Sequence, residues 1–207
     1  MILGLVALTA GCVQTSTGSR TVDENQRGTT DPADADKRAA VRLELASGYY
    51  SRGQFDTALE EVKLALAAKP DLGTAYNMRG LIYAAMGEER LADESFERAL
   101  ALNPRDADTM HNRAWFHCQR GRYDEANRLF EQAIAQPQYR DPVRSLAAQG
   151  LCHARAGKLV QAEQKLSRAF EIDPTNPNTA YNLAEVLYRS KDLDRARFYI
   201  RRINDRD

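Results

Sequence analysis

The sequence predicts an all-α fold, a solenoid of stacked helix-turn-helix units, and three ladders of recurring residues predict it. A small residue returns as Ala58, Ala92, Ala126, Ala162 and Ala196, spaced 34, 34, 36 and 34 residues apart. In the same phase run the turn residues Gly53, Gly87, Gly121 and Gly157, with Lys191 taking the fifth place. The third ladder reads Ala46, Gly80, Ala114, Gly150 and Ala184. Internal periods of this size mark stacked repeats, each too small to bury its apolar face alone. Small side chains are needed where helices cross, because their axes pack roughly 8–10 Å apart and a large side chain would force them away.

Bulky residues alternate with the small ones. Tyr49, Tyr83, His117, His153 and Leu187 follow three residues after the small position of the first helices, and Val62, Phe96, Phe130, Leu166 and Ile200 wedge the second helices. The pattern resembles the tetratricopeptide repeat, a 34-residue helical hairpin with small residues at positions 8, 20 and 27 and proline near 32. That resemblance implies a right-handed superhelix.

Taken in order, unit one covers 39–72 with Ala46, Gly53, Ala58 and Pro70, and unit two covers 73–106 with Gly80, Gly87, Ala92 and Pro104. Unit three, 107–140, starts after Asp106 as helix cap and has Gln138 where proline is expected. Unit four, 143–176, and unit five, 177–207, open on Asp141-Pro142 and Asn176-Pro177. Each of these pairs sets an N-cap acceptor before a proline at the first helical position, where a missing N–H costs nothing. The period stretches to 36 through Gln136-Pro137-Gln138-Tyr139-Arg140-Asp141-Pro142, a stiffer connection between units three and four.

Composition narrows the function. The 29 basic and 29 acidic residues cancel and form no basic stripe, so the footprint of a nucleic-acid binder is missing and no nucleic-acid partner is expected. No glycine-rich phosphate loop, G-x-S-x-G elbow or H-E-x-x-H pair occurs. The expectation is a binding protein, not an enzyme, with no cofactor, no metal and no small-molecule substrate.

The amino terminus is different in kind. Residues 2–11 are apolar, too short for a membrane-spanning helix of about 20 residues but suited to a secretory signal. Leu8-Thr9-Ala10-Gly11-Cys12 resembles the lipobox of bacterial lipoproteins, with Thr9 where leucine is commonest and no Lys or Arg before the apolar run. Residues 1–11 thus read as a lipoprotein signal peptide and Cys12 as the lipidated residue; an ordinary thiol beside a cleaved signal is the alternative. Residues 12–38, rich in Thr, Asp and Gly, bury too little apolar surface to order and read as a flexible tether. Val13 stands where an Asp would retain such a lipoprotein in the inner membrane, so the resemblance implies the periplasmic face of the outer membrane, reached through a lipid anchor.

In the repeat family the first helices line the inner face, with positions 2, 5, 9 and 12 pointing into it. Read so, the groove comprises Leu43, Ser47, Tyr50, Asn77, Leu81, His111, Trp115, Leu151, Tyr181 and Tyr188, with amides Asn112 and Asn182 beside them. Aromatic side chains with a polar tip suit partner surfaces, and amides can hold a peptide backbone. The alternative is plain packing between neighbouring first helices. Cys118 and Cys152 fall on first helices of adjacent units, which leaves a disulfide or two free buried thiols open. His117 and His153 occupy wedge positions, and their spacing matches no short zinc-ligand pair.

The stretches RAAVRLELASGYYSRGQFDTALEEVKLAL, DADTMHNRAWFHCQRGRYDEA, QPQYRDPVRSLAAQGLCHARAGK and NPNTAYNLAEVLYRSKDLDRARFYIRRIN resemble the type IV pilus biogenesis/stability lipoproteins, the PilF/PilW pilotin family, across residues 38–204. The resemblance implies a protein that binds the pilus secretin and promotes its outer-membrane localisation and multimerisation, or stabilises pili. An alternative with the same parts is an adaptor recruiting periplasmic proteases or peptidoglycan enzymes. Family members usually carry a sixth repeat. Phe198, Tyr199, Ile200 and Ile203 form an apolar face on the last helix, so the expectation is a truncated chain or a face covered by another chain.

Overall fold

The computed structural model describes residues 32–204; the expected signal peptide, Cys12 and the tether up to Asp31 lie outside the described residues. Ten helices follow one another: α1 Pro32–Ser51, α2 Phe55–Ala68, α3 Gly73–Met86, α4 Glu89–Leu102, α5 Ala107–Gln119, α6 Tyr123–Ile134, α7 Pro142–Arg155, α8 Leu159–Ile172, α9 Pro177–Arg189 and α10 Leu193–Asn204. Each odd-numbered helix pairs with the even-numbered one after it, giving five antiparallel hairpins and the predicted all-α tetratricopeptide architecture.

The ladders are the core. Ala58, Ala92, Ala126 and Ala162 are completely buried at the helix crossings, with Val62, Phe96, Phe130 and Leu166 one turn further along and equally enclosed. Opposite them, the ring of Phe96 comes so near Gly80 that an added Cβ would sit 2.7 Å from it; at Gly150 the same atom would meet Leu166 Cγ at 2.6 Å and the Ala162 carbonyl oxygen at 3.1 Å. At each hairpin turn the chain enters the left-handed region, with φ between 72° and 82° at the four turn glycines and 67° at Lys191. Fold geometry thus imposes on a lysine a conformation that costs an L-residue roughly 1–2 kcal/mol.

Two features add to the sequence reading. First, helix α1 already begins at Pro32, so residues 32–38, read as tether from the sequence, are helical. Proline suits the first turn, and Asp36 binds Lys69 Nζ at 2.6 Å, tying this extension to the end of α2. Second, Asp106 caps α5 by position only. Its carboxylate accepts from the Thr109 hydroxyl, not from the helix backbone. Asp141 and Asn176 cap as expected, accepting from Arg144 N at 3.1 Å and from Asn178 N and Thr179 N at 3.0 and 3.2 Å.

The backbones of adjacent first helices approach one another along the whole series α1, α3, α5, α7 and α9, whereas second helices meet only through longer side chains, such as Arg195 of α10 on Glu163 of α8. Hairpins that converge on one side and splay on the other form a curved stack, with the first helices on its inside. Gly150→Ala is expected to cost about 2 kcal/mol, the overpacking penalty where a backbone oxygen cannot move aside. Chemical denaturation of the variant beside the parent chain measures it.

Candidate functional site

The inner face carries a polar spine flanked by apolar clefts. Asn112 Nδ2 donates to Asn77 Oδ1 at 3.1 Å, and Arg144 Nη2 donates to Asn112 Oδ1 at 3.2 Å, linking units two, three and four on one surface. Beside this spine, α5, α7 and α9 enclose a cleft of about 550 Å³ lined by Trp115, Ala147, Leu151, Arg144, Asn178 and Asn182. The Arg155 guanidinium lies over the Trp115 ring, 4.8 Å from its centroid, an arrangement worth about 0.5–1 kcal/mol at a partly exposed site. The indole is thus held in place while keeping one side toward the cleft.

Of the groove residues expected from sequence, Trp115, Leu151 and Asn182 come together here, with Asn77 and Asn112 on the spine. Leu43 and Tyr50 are half-buried against the core of unit one, where the Tyr50 ring meets Phe55 at 5.8 Å. Leu81 packs beside Phe96 and Phe116, and Ser47 is exposed. Neither Arg155 nor Arg144 was signalled by the sequence, because each meets its inner-face partner across 40 and 32 residues of chain with no local pattern to mark the meeting.

Two expected groove residues are placed differently, and a third, His111, lines the Trp115 cleft while only 8 % exposed. Its Nδ1 lies 2.8 Å from Ser145 Oγ, which lies 2.8 Å from the Tyr139 hydroxyl, so the stretched linker is pinned to α5 through α7. Burial, and secondarily the charge of Arg144, push its imidazole down to about 3, and burial raises the Tyr139 phenol, so both stay neutral. Tyr181 and Tyr188, 57 % and 63 % exposed, line a separate cleft between α9 and α10. They stand away from Trp115 because no following helix closes over α9 among the described residues.

Cys118 and Cys152 form a disulfide, with Cα atoms 5.8 Å apart, joining α5 to α7 across the same junction. Beside it, His117 Nε2 lies 3.6 Å from Asp93 Oδ1, but burial and then Arg122 hold the imidazole below its usual range and neutral near pH 7. Asp93 is instead claimed by Arg113, whose Nε approaches to 2.9 Å. Among the described residues no group of three His, Cys, Asp or Glu could hold a metal ion, and no helix is long and apolar enough to cross a membrane. The surface offers hydrogen-bonding amides, an oriented indole and apolar walls, the chemistry of polypeptide capture.

Two measurements test this junction. His111 binds no proton when folded until about pH 3, but does so near 6.5 when unfolded. Stability therefore falls as pH drops from 6.5 toward 3, by about 1.4 kcal/mol per unit from this residue, and His111→Gln is expected to flatten that limb in denaturation curves taken at pH 4 to 7. Removing the disulfide, which closes a loop across a separation of 34 residues, is expected to cost about 3–4 kcal/mol by the chain-entropy relation; Cys118→Ser with Cys152→Ser checks it by urea unfolding.

Comparison with known proteins shows what this arrangement is similar to. Tetratricopeptide repeat models match residues 73–106, 95–126, 112–177 and 153–207. The type IV pilus assembly protein PilF of Pseudomonas aeruginosa is 28 % identical over 189 residues, covering 91 % of this chain and 72 % of the relative. The solved structure from a functional characterisation of P. aeruginosa PilF superposes with a TM-score of 0.77 at 25 % identity, over 83 % of this chain and 77 % of that one. PilW, described as a widely conserved type IV pilus biogenesis factor, superposes with a TM-score of 0.75 at 28 % identity, over 81 % and 77 %. MamA from Desulfovibrio magneticus, at 18 % identity and a TM-score of 0.66, over 81 % of this chain and 94 % of that one, shares the fold.

Proposed function

We propose that this chain, a tetratricopeptide-repeat protein homologous to the type IV pilus biogenesis factors PilF and PilW, is a pilotin: a lipid-anchored scaffold that holds the pilus secretin and brings it to the outer membrane as multimers. The observation that carries the reading is the similarity to PilF and PilW along nearly the whole solenoid, combined with a cleft on the inner face built for binding. Tetratricopeptide scaffolds act by binding other proteins, which supports a non-enzymatic role.

Three parts of the chain divide the work. Cys12 supplies the lipid; one acyl chain binds a bilayer only weakly, about 10⁴ M⁻¹, so stable anchorage needs the several chains that bacterial lipoproteins carry. The Thr- and Asp-rich stretch that follows gives reach. Trp115, its ring steadied by Arg155, anchors a secretin segment whose backbone the neighbouring Asn182 and Asn178 can meet with hydrogen bonds. The disulfide is compatible with an exported protein, since such bonds persist in oxidising compartments.

Cys12→Ser is expected to move the protein from the membrane fraction to the soluble periplasm and to remove secretin multimers from heat-resistant gel bands. Trp115→Ala should weaken secretin capture in a pull-down at least tenfold while leaving the helical circular-dichroism signal unchanged. Equal secretin multimers in deletion and parent cells would defeat the assignment.

A further inference from the structure

We infer that the inner-face cleft selects its guest by charge. It takes an extended polypeptide segment in which an apolar side chain stands two residues from a carboxylate, the apolar group lying against Trp115 and Leu151 and the carboxylate on Arg155. This deepens the reading that the cleft captures a polypeptide and rests on it, whichever protein supplies the segment.

Arg155 carries the inference. Arg113, Arg144, Arg189 and Arg195 each reach a neighbouring unit and find an acceptor there: Asp93 at 2.9 Å, Asn112 at 3.2 Å, the Ala154 carbonyl at 2.9 Å and Glu163 at 2.7 Å. Arg155 also crosses to its neighbour, but what it meets is the Trp115 ring. It is exposed and, among the described residues, has no carboxylate within ion-pair reach. A guanidinium held by a ring alone keeps its N–H donors free, and their forked geometry matches a carboxylate.

Position makes this cation part of the cleft. Leu151 and Arg155, four residues apart on α7, share one face of that helix, and Leu151 lines the cleft together with Trp115. The Trp115 indole N–H and the Asn182 side chain make no hydrogen bond among the described residues, so further donors stand beside the same apolar wall. The carboxylates that line the cleft are engaged elsewhere: Asp141 accepts from Arg144 N at 3.1 Å and Asp173 from the Thr175 hydroxyl at 2.6 Å. Asp141 also precedes Leu151 by ten positions, about 15 Å along a helix that rises about 1.5 Å per residue. Neither neutralises Arg155.

Spacing fixes the motif. The rise from Leu151 to Arg155 is about 6 Å, and in an extended chain side chains two residues apart point to one side, about 6.6 Å from each other. An apolar residue placed on Leu151 therefore sets the side chain two positions away at Arg155. A carboxylate there gains a charge-assisted hydrogen bond, whereas a lysine meets a like charge.

The test uses the full chain and blocked 12-residue synthetic peptides selected from a random library on the immobilised protein. Trp115 is the chain's single tryptophan, so its emission reports occupancy of the cleft. Selected peptides should carry Asp or Glu two residues from an apolar anchor, and exchanging that carboxylate for the amide should weaken binding at least fivefold in fluorescence titrations. Added salt should shrink this preference, since the pair is exposed. Arg155→Gln should erase it, and Arg155→Glu should make Lys at the same place the better binder, with the helical circular-dichroism signal retained in both variants. A selection that yields no peptide, or peptides that leave Trp115 emission unchanged, would overturn the proposal together with the cleft as capture site. Peptides that perturb Trp115 without an acidic preference, or with one that survives Arg155→Glu, would overturn the charge rule alone.

Discussion

Two helices can approach closely only where neither carries a bulky side chain at the crossing, and every other feature of this molecule is arranged around that requirement. Where Phe96 presses on Gly80 and Leu166 on Gly150, the space left would not admit one further carbon without a collision. Packing of this density propagates from hairpin to hairpin, because each unit contacts only its neighbours and has no central core to fall back on. The alanine column sets the spacing, and the large residue one turn away locks the hairpins together.

The junction between units three and four shows how a departure from the period is absorbed. Two extra residues could have opened a gap between α5 and α7. Instead, Tyr139 from the longer connection reaches Ser145, Ser145 reaches His111, and the Cys118–Cys152 bridge fastens the same two helices a short way along. Polar groups this deeply buried are tolerated because each finds a partner; unpaired, they would cost about 1–3 kcal/mol apiece. The inner face stays continuous across the insertion, and the Trp115 cleft lies over it.

Polar contacts between units have a direction. Acceptors on Asp93, Asn127 and Glu163 meet donors on the following hairpin, so each unit states the chemistry its successor must bring. Such contacts add modest energy but discriminate strongly between neighbours, since a mismatched charge would be desolvated without a partner.

Much of this was legible in the chain alone. The ladders of alanine and glycine fix hairpin number, order and phase because they record a steric requirement that recurs at the same place in each unit. Tyr188 and Trp115 look equally fit for a groove in the sequence, and so does His111. Only the packed structure separates them: His111 is enclosed because Ser145 and Tyr139 arrive from the stretched linker, Tyr188 is exposed because no described helix follows, and Trp115 is oriented because Arg155 comes from the next unit. Periodicity records contacts repeated identically from unit to unit, so it predicts the solenoid. A binding surface is made where units differ, by side chains far apart in the chain, and that meeting is decided by tertiary structure.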